Sequence, residues 1–283
     1  MSDKSQTGNR LPNFLILGTA KAGTSSLYHY LKQHPDVYLS PREELNFFAH
    51  AGRDLNFRGP GDLGYLRPNY LVENYEDYCE QFTGVNLQSA IGEFSPHNLY
   101  CSQAPALIQR YVSNPKMIAI LRNPAERAFS AFTHMVRDGR EETTDFRVAL
   151  SREPARIRDN WEPLWHYKHM GFYGAQLSRY FELFDRRQIQ VYIYDDFVAS
   201  PLAIVKDIFT FIGVDPNFVP DMSVKYNTSI LPRSVLLREL MTKENPIRSS
   251  FRNLVPKGIR RWVWRFVISS CNSSWYQIRL AAA

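Results

Sequence analysis

The amino-acid sequence predicts an α/β protein in which helices flank a central, mostly parallel sheet. Short apolar segments of strand length alternate along the chain with longer segments of helical spacing, and this alternation is typical of parallel sheets with helical crossovers. The 283 residues are 44% hydrophobic and 22% charged, as in globular proteins, which excludes a disordered or fibrous chain. A chain of this length buries a core large enough to fold without disulfides.

The predicted strands are short apolar runs bounded by polar or turn-forming residues. They span residues 13–18, 90–94, 116–121 and 189–194. Runs of this length with few polar residues are expected where a strand is covered on both faces, as in a parallel sheet.

The predicted helices carry recognisable start and stop signals. They span residues 24–33, 105–112, 124–138, 173–184 and 197–212. Pro35 ends the first helix, because the residue before a proline favours an extended conformation. Asn123 is placed to cap the third, with Pro124 in the first turn, where no N–H is needed. Gly213 is expected to close the last helix.

The loop after the first strand has the composition of an anion-binding site and makes the domain P-loop-like. It starts at Gly18 and joins the strand directly to a helix. Its small residues allow backbone N–H groups to converge, and the helix N-terminus adds its dipole. Lys21 contributes a positive charge, and hydroxyl donors come from Thr24, Ser25 and Ser26. The alternative interpretation is an ordinary glycine-rich turn.

The loop departs from the Walker A pattern of P-loop NTPases. Gly18 and Gly23 have the Walker spacing, but Thr24 stands where Walker A has lysine. Strand 116–121 is followed by Arg122, whereas a P-loop NTPase has an Asp there for Mg²⁺. These departures argue against a P-loop nucleotide kinase, which stays an alternative, and they predict that no metal is required.

Arg122 is placed to bind a second anion. An arginine at the carboxyl end of a parallel strand lies where ligands bind in α/β sheets, and its planar guanidinium suits a phosphate dianion. Ser130 follows on the helix that begins at Pro124, where its hydroxyl adds a donor.

The two segments together resemble the cofactor motifs of sulfotransferases that use 3′-phosphoadenosine 5′-phosphosulfate (PAPS), of the heparan-sulfate-sulfotransferase-like and bacterial type. Residues 18–27, GTAKAGTSSL, resemble the 5′-phosphosulfate loop, and residues 121–132, LRNPAERAFSAF, the 3′-phosphate motif. The resemblance implies that Lys21 stabilises charge on the leaving 5′-phosphate and that Arg122 and Ser130 clamp the 3′-phosphate. The implied 5′-phosphate ligands are Lys21, Ala22, Gly23, Thr24, Ser25 and Ser26.

The activity that this resemblance implies is transfer of a sulfuryl group from PAPS to an acceptor hydroxyl, with release of 3′,5′-ADP. The acceptor is a carbohydrate, a lipid or a small alcohol. The net charge of +6 keeps a second alternative, a non-catalytic basic protein that binds nucleotides or nucleic acid. No nucleic-acid partner is expected, because the sequence has no RNP, helix-turn-helix or zinc pattern.

Residues 41–48, PREELNFF, resemble a K/R-E-x-x-F-F segment of the heparan sulfate sulfotransferases. In those enzymes the glutamate of this segment takes the proton from the acceptor hydroxyl, since an alcohol needs a base within hydrogen-bond reach. Alignment on the Phe-Phe pair implies this role for Glu44, with Glu43 as the second choice. Phe48 is a candidate substrate contact, and His97 is the alternative base, since the cytosolic aryl and steroid sulfotransferases use histidine.

Two further segments resemble parts of the same family. Tyr173, within GFYG at 171–174, resembles the start of a GxYxxQL helix and is a candidate for lining the acceptor or cofactor cleft, with a core position as the alternative. Residues 225–229, KYNTS, fall where relatives have a loop that closes over the cofactor. The implied cofactor ligands in that loop are Lys225, Asn227, Thr228 and Ser229.

The predicted organisation is a flexible leader over residues 1–11 and a sulfotransferase domain over 12–270. The PAPS-binding core covers about 12–230, and a basic helical region follows it. That region interleaves tryptophans with lysines and arginines. It is interpreted as a binding surface for an acidic acceptor, a peripheral contact with an anionic membrane, or an amphipathic helix packed on the domain.

Cysteine usage and hydropathy predict a cytoplasmic protein. Cys79, Cys101 and Cys271 are widely spaced, which favours free thiols in a reducing compartment. The first residues lack the apolar segment of a signal peptide, and no run of 18 apolar residues predicts a transmembrane helix.

Overall fold

The computed structural model describes residues 11–53, 55–62 and 71–223. Three predicted segments lie outside the described residues. They are the leader except for Leu11, the loop over residues 225–229 that is predicted to close over the cofactor, and the basic region after about residue 230. The predicted roles of Lys225, Asn227, Thr228 and Ser229 therefore stay predictions. Among the described helices, none combines the length and the apolar character needed to cross a membrane.

Within the described residues, five parallel strands form one sheet in the order β2-β3-β1-β4-β5. They are β1 Phe14–Gly18, β2 Val37–Leu39, β3 Ala90–Phe94, β4 Lys116–Leu121 and β5 Ile189–Ile193. Every residue of β1 and β3 is buried, as expected for strands covered on both faces. Each neighbouring pair is parallel, which confirms the predicted sheet.

Eight of the described helices lie in the connections between strands, and the last two follow β5. They are α1 Thr24–Leu31, α2 Phe47–His50, α3 Tyr75–Glu80, α4 His97–Tyr100, α5 Ala104–Tyr111, α6 Pro124–Arg137, α7 Phe146–Arg158, α8 Tyr173–Phe181, α9 Tyr194–Ala199 and α10 Pro201–Ile212. The Asn123 side chain caps α6 by accepting from the N–H groups of Ala125 and Glu126. Gly213 closes α10 with a φ of 87°. Both caps are as the sequence predicts.

The helices cover both faces of the sheet and bury distinct apolar clusters. Phe14 joins Phe209 of α10 in one cluster, and Leu15 joins Phe48 of α2 in another. Consecutive β1 residues thus point to opposite faces, as the strand geometry requires. A third cluster around Trp165 joins α6 to α7. These layers leave the carboxyl ends of the strands at one edge of the sheet.

The structure departs from the predicted elements where the local signal was weak. The predicted helix 197–212 is two helices, because Pro201 has no N–H with which to continue α9. The three residues of β2 are fewer than the run that predicts a strand. In α7 the charged residues and an internal Pro154 obscure the apolar spacing.

The strand order determines where a ligand is expected. The chain passes from β1 to β2 and β3 on one side, and then crosses to β4 and β5 on the other. The carboxyl ends of β1 and β4 therefore form the topological switch point, where open α/β sheets bind ligands. Gly18 ends β1 and Arg122 follows β4 at this crevice.

Candidate active site

The loop after β1 is held in a turn that requires glycine at its first residue. Gly18 has a φ of 130°, and a Cβ there would lie 2.4 Å from the Pro96 carbonyl oxygen. Lys21 and Gly23 follow with left-handed φ values of 71° and 77°. These conformations turn the backbone toward the N-terminus of α1.

The N-terminus of α1 carries no side-chain cap. Its N-cap is Gly23, which has no side chain to bond the first-turn N–H groups. Thr24 is buried, whereas Ser25 and Ser26 are half-buried on the same turn. The N–H of buried Ala22 is used inside the loop, where it donates to a carbonyl at 3.3 Å. The first turn of α1 is therefore better suited to an anion than Ala22.

Lys21 is a half-buried cation among other charged groups. Burial is the main cause that lowers the pKa of Lys21 from 10.5 to about 8, and the Arg137 guanidinium lowers it further. Asp138 and Glu44 act in the opposite direction. The amine thus stays mostly protonated at pH 7, and a bound anion would raise its pKa again.

Glu44 lies in the turn between β2 and α2, with a left-handed φ of 55°. The turn is held to the segment after β3, because the Asn46 N–H donates to Ser95 Oγ at 2.9 Å. Burial raises the pKa of Glu44 from 4.5 to about 7; Glu43 adds to the rise and Lys21 opposes it. A pKa near the working pH is the range that suits a general base.

Glu43 is engaged elsewhere. Its Oε1 lies 3.1 Å from His29 Nε2, and the Glu43 and His29 side chains are 33% and 30% exposed. Of the two neighbouring carboxyls, the structure pairs Glu43 with helix α1 and leaves Glu44 in the electrostatic environment of Lys21. This arrangement supports the register in which Glu44 is the base.

Arg122 contacts the loop from the other side of the crevice. Its Nη1 donates to the Lys21 carbonyl at 3.3 Å, and its guanidinium lies 4.7 Å from the centre of the Tyr194 ring. Its Nη2 donates to Glu126 at 3.1 Å. The Tyr173 hydroxyl donates to the Arg122 carbonyl at 2.9 Å, which ties Tyr173 to the end of β4; its predicted place in the cleft stays a prediction.

Helix α6 presents Ser130 and Arg127 in different surroundings. Ser130 is half-buried, and its carbonyl accepts from the Thr133 hydroxyl at 3.0 Å. Arg127 is 0% exposed and donates to the Tyr167 carbonyl, which ties α6 to the turns before α8. Ser130 therefore stays the predicted 3′-phosphate donor on this helix, while Arg127 has an internal role.

The structure places two predicted substrate residues in the interior. Phe48 is 0% exposed and packs edge-on against Tyr78, which removes it from any surface that an acceptor reaches. His97 is 5% exposed, with its Nε2 3.6 Å from Glu162 Oε1. Burial lowers the pKa of His97 to about 4, which makes it a weaker base than Glu44.

A polar cluster at the end of α6 was not predicted. The Arg137 Nε donates to Asp138 Oδ1 at 2.9 Å, and His134 Nε2 lies 3.4 Å from Asp138 Oδ2. Burial lowers the pKa of His134 to about 3, and Lys21 contributes to that shift, so the cluster borders the loop. The sequence predicts a helix to residue 138, but no local pattern shows that its last turn faces Lys21.

Comparison with known proteins identifies relatives of this chain. It is 30% identical over 122 residues to the membrane-associated sulfotransferase kil1 of Dictyostelium discoideum, a match that covers 43% of this chain and 22% of the relative. It is 26% identical over 225 residues to the bifunctional heparan sulfate N-deacetylase/N-sulfotransferase 3 of Homo sapiens, covering 76% of this chain and 24% of the relative. The matches thus span less than a quarter of the length of these relatives.

A solved structure of similar fold exists as well. The sulfotransferase from Alicyclobacillus acidocaldarius is 40% identical, with a TM-score of 0.71 over 77% of this chain and 87% of that one. This likeness agrees with a P-loop-like domain built on a parallel sheet. The profile of the Sulfotransferase family matches residues 12–218, which include the β1 loop, Glu44, Arg122 and α6. The chain belongs to the Sulfotransferase family.

Proposed function

We propose that this protein transfers a sulfuryl group from PAPS to an acceptor hydroxyl and releases 3′,5′-ADP. The observation that carries the proposal is that Glu44 and Lys21 lie close enough at the carboxyl edge of the sheet for each to shift the pKa of the other. Their pKa values of about 7 and about 8 give one carboxyl that accepts a proton near neutral pH and one amine that stays charged there. Sulfuryl transfer to an alcohol needs both.

The residues of the crevice fit a ligand with two separate anionic groups, as PAPS has. Lys21 and the first turn of α1 provide hydrogen-bond donors for one anionic group. The guanidinium of Arg122 provides donors for the other. The present partner of Arg122, Glu126, is 54% exposed, and such surface pairs contribute only about 0–1 kcal/mol. When bound, PAPS supplies an activated sulfuryl group attached to its 5′-phosphate.

Each chain residue then has a defined task. Glu44 accepts the proton of the acceptor hydroxyl while that oxygen bonds to sulfur. Lys21 and the α1 N–H groups stabilise the charge that develops on the 5′-phosphate oxygen as its bond to sulfur breaks. Arg122 and Ser130 hold the 3′-phosphate and so fix the orientation at a distance from the reacting atoms.

A binding experiment tests the proposed cofactor. Thermal shifts are measured with 3′,5′-ADP and with 5′-AMP, which differ by the 3′-phosphate, for the wild type and Arg122→Ala. We expect 3′,5′-ADP to stabilise the wild type more, and Arg122→Ala to lose about 1.5–3 kcal/mol of that binding, as for hydrogen bonds to charged groups. Equal stabilisation by both nucleotides would refute the 3′-phosphate clamp.

An activity experiment tests the base. Candidate acceptors are screened with labelled PAPS, and Glu44→Gln, Glu43→Gln and His97→Ala are compared on one active acceptor. Glu44→Gln is expected to keep 3′,5′-ADP binding and to lower turnover by about 10²–10⁴-fold, with Glu43→Gln close to wild type. If Glu44→Gln kept near-normal turnover and another variant lost it, the residue replaced in that other variant would be the general base.

Other predictions concern the chain outside the described residues. Lys225, Asn227, Thr228 and Ser229 are proposed to close over the cofactor on the family resemblance alone. A contact of the basic region after about residue 230 with an anionic membrane rests on its composition.

A further inference from the structure

β5 is an edge strand of the sheet and lacks the features that keep edge strands from pairing. Among the described residues, β4 pairs with one side of β5 and no strand pairs with the other. Its five residues, IQVYI, include neither a charged residue nor a proline, and its register with β4 has no bulge. Natural proteins use charges, prolines and bulges to prevent association at such an edge. The outer side of β5 is therefore a candidate surface for pairing with another strand.

β2, at the opposite edge of the sheet, is protected. It has only three residues, and short edge strands offer few backbone groups to a second chain. Its Tyr38 hydroxyl donates to the Gln81 carbonyl at 2.8 Å, so the segment after α3 lies against this strand. Of the two edges, β5 is the one at which association is expected.

The two faces of β5 are covered to different extents. On one face Tyr192 is buried, and its hydroxyl donates to Asp207 of α10 at 2.7 Å. Ile189, Val191 and Ile193 lie on the other face, because alternate residues of a strand share a face. Ile189 is buried there, whereas Val191 and Ile193 are 39% and 47% exposed. The apolar face of β5 thus continues beyond the residues that cover its first part.

Opposite charges flank β5 at equal distances from its central residue, Val191. Arg186 and Arg187 lie five and four residues before it, and Asp195 and Asp196 lie four and five residues after it. All four charged residues are exposed. In two antiparallel copies of β5 centred on Val191, Arg187 of one copy comes opposite Asp195 of the other. Arg186 likewise comes opposite Asp196, so the strand and its flanks are complementary to a second copy of themselves.

The present partners of the two arginines leave them available. Arg187 Nη2 lies 2.8 Å from Asp185 Oδ2 in its own turn, but these side chains are 90% and 46% exposed, and exposed ion pairs are weak. The Arg186 guanidinium lies 4.6 Å from the centre of the Phe181 ring. A guanidinium that stacks on a ring keeps the N–H donors at its own edge free for a carboxylate.

We propose that the outer edge of β5 binds a second copy of this chain, with the two β5 strands antiparallel about Val191. The backbone groups along the two outer edges bond each other, and the two five-stranded sheets become continuous. Each face stays on its own side across the two-fold axis, so Val191 packs on Val191 of the second copy and Ile193 on Ile189. The contact is self-complementary and closes as a dimer.

The dimer leaves both crevices accessible. Because the two β5 strands run in opposite directions, the carboxyl ends of the two sets of strands lie at opposite edges of the continuous sheet. The crevice with Lys21 and Arg122 is therefore away from the second copy in each subunit. The proposal concerns association and does not depend on the reaction assigned to Glu44 and Lys21.

Sedimentation velocity of the full chain over a range of concentrations tests the association. We expect a monomer–dimer equilibrium without larger species. Val191→Lys places two like charges opposite each other at the two-fold axis and should raise the Kd of the dimer at least about tenfold. The matched control is Leu87→Lys, which introduces the same charge at an apolar residue that is 87% exposed and lies outside β5. It should leave the Kd unchanged.

A charge exchange between two variants tests the antiparallel register. One variant carries Arg186→Glu and Arg187→Glu, and the other carries Asp195→Lys and Asp196→Lys. Each variant alone opposes like charges and should raise the Kd at least about tenfold. Mixed in equal amounts, the two variants oppose unlike charges at both ends of β5. The mixture should regain a Kd close to that of the wild type, with mixed dimers identified by native mass spectrometry.

Urea denaturation shows whether each variant folds. If Val191→Lys does not fold, the exchange variants still decide, because they change exposed residues only. The proposal is overturned if the wild type stays monomeric at every concentration, as it would if another protein or a segment outside the described residues covered β5. It is also overturned if Leu87→Lys weakens the dimer as much as Val191→Lys does, or if mixing the exchange variants restores no dimer.

Discussion

Replacing Glu44 by glutamine should stabilise the fold while it removes turnover. Burial raises the pKa of Glu44 from 4.5 to about 7, so the folded protein binds a proton more tightly here than the unfolded chain does. As the pH rises from 4.5 to 7, the carboxyl loses its proton in the unfolded state while it still holds the proton in the folded state. The free energy of unfolding therefore falls as pH rises from 4.5 to 7, and the loss is complete above about 7. Glutamine does not titrate and does not show this loss.

The size of the effect follows from the pKa shift. One pKa unit is worth about 1.4 kcal/mol, so a rise from 4.5 to about 7 corresponds to at most about 3 kcal/mol at pH 8. Relaxation and water around the half-buried carboxyl reduce this figure. We expect Glu44→Gln to gain about 1–3 kcal/mol at pH 8 and less than about 1 kcal/mol at pH 5.

Urea denaturation at pH 5 and pH 8 measures this difference, with the free energy of unfolding obtained by linear extrapolation. The matched control is Glu43→Gln, which removes a neighbouring charge that is partly exposed and paired with His29. Because Glu43 contributes to the raised pKa of Glu44, its removal should also stabilise the fold at pH 8, but by less than Glu44→Gln does, and by less than about 0.5 kcal/mol at pH 5. The reasoning would be refuted if Glu44→Gln did not raise the free energy of unfolding at pH 8, or raised it equally at both pH values. Either result would show that the ionised carboxyl is not destabilising.

Three further outcomes are expected. The pH profile of kcat/KM should be bell-shaped, rising with ionisation of Glu44 near pH 7 and falling with deprotonation of Lys21 near pH 8. In Lys21→Gln the falling limb should disappear and the rising limb should move to higher pH, because Lys21 lowers the pKa of Glu44; an unchanged profile would contradict this electrostatic interaction. Gly18→Ala should lose more than about 2 kcal/mol in urea denaturation, because its Cβ would lie 2.4 Å from a carbonyl oxygen at a φ of 130°, and wild-type stability would show that the loop relaxes freely. Tyr173→Phe removes the 2.9 Å hydrogen bond to the Arg122 carbonyl and should weaken 3′,5′-ADP by about 0.5–1.5 kcal/mol in calorimetry, whereas unchanged affinity would limit Tyr173 to packing.

Local sequence patterns were sufficient for the central strands and for the two junctions at the crevice. The predicted bounds of β3 and β4 agree with the structure, because a short apolar run between polar residues has few alternatives to a buried strand. The order of strand, loop and helix then places Lys21 and Arg122 after predicted parallel strands, whose carboxyl ends lie at one edge of a sheet. That β1 and β4 are neighbours was decided only by the structure.

Side-chain roles that depend on distant partners were decided only by the tertiary structure. Glu43 and Glu44 are equivalent by composition, and they differ because His29, on another element, pairs with one of them while Lys21 affects the pKa of the other. Phe48 was a candidate substrate contact in the sequence, yet Tyr78 covers it in the core. Sequence periodicity shows which residues share a face of one element, but burial and pairing depend on what packs against that face. The sequence by itself therefore determined four of the five described strands and the two strand-to-helix junctions at the crevice. The strand order, and which carboxyl and which aromatic residues are buried or paired there, were decided by the packing of elements distant in the chain.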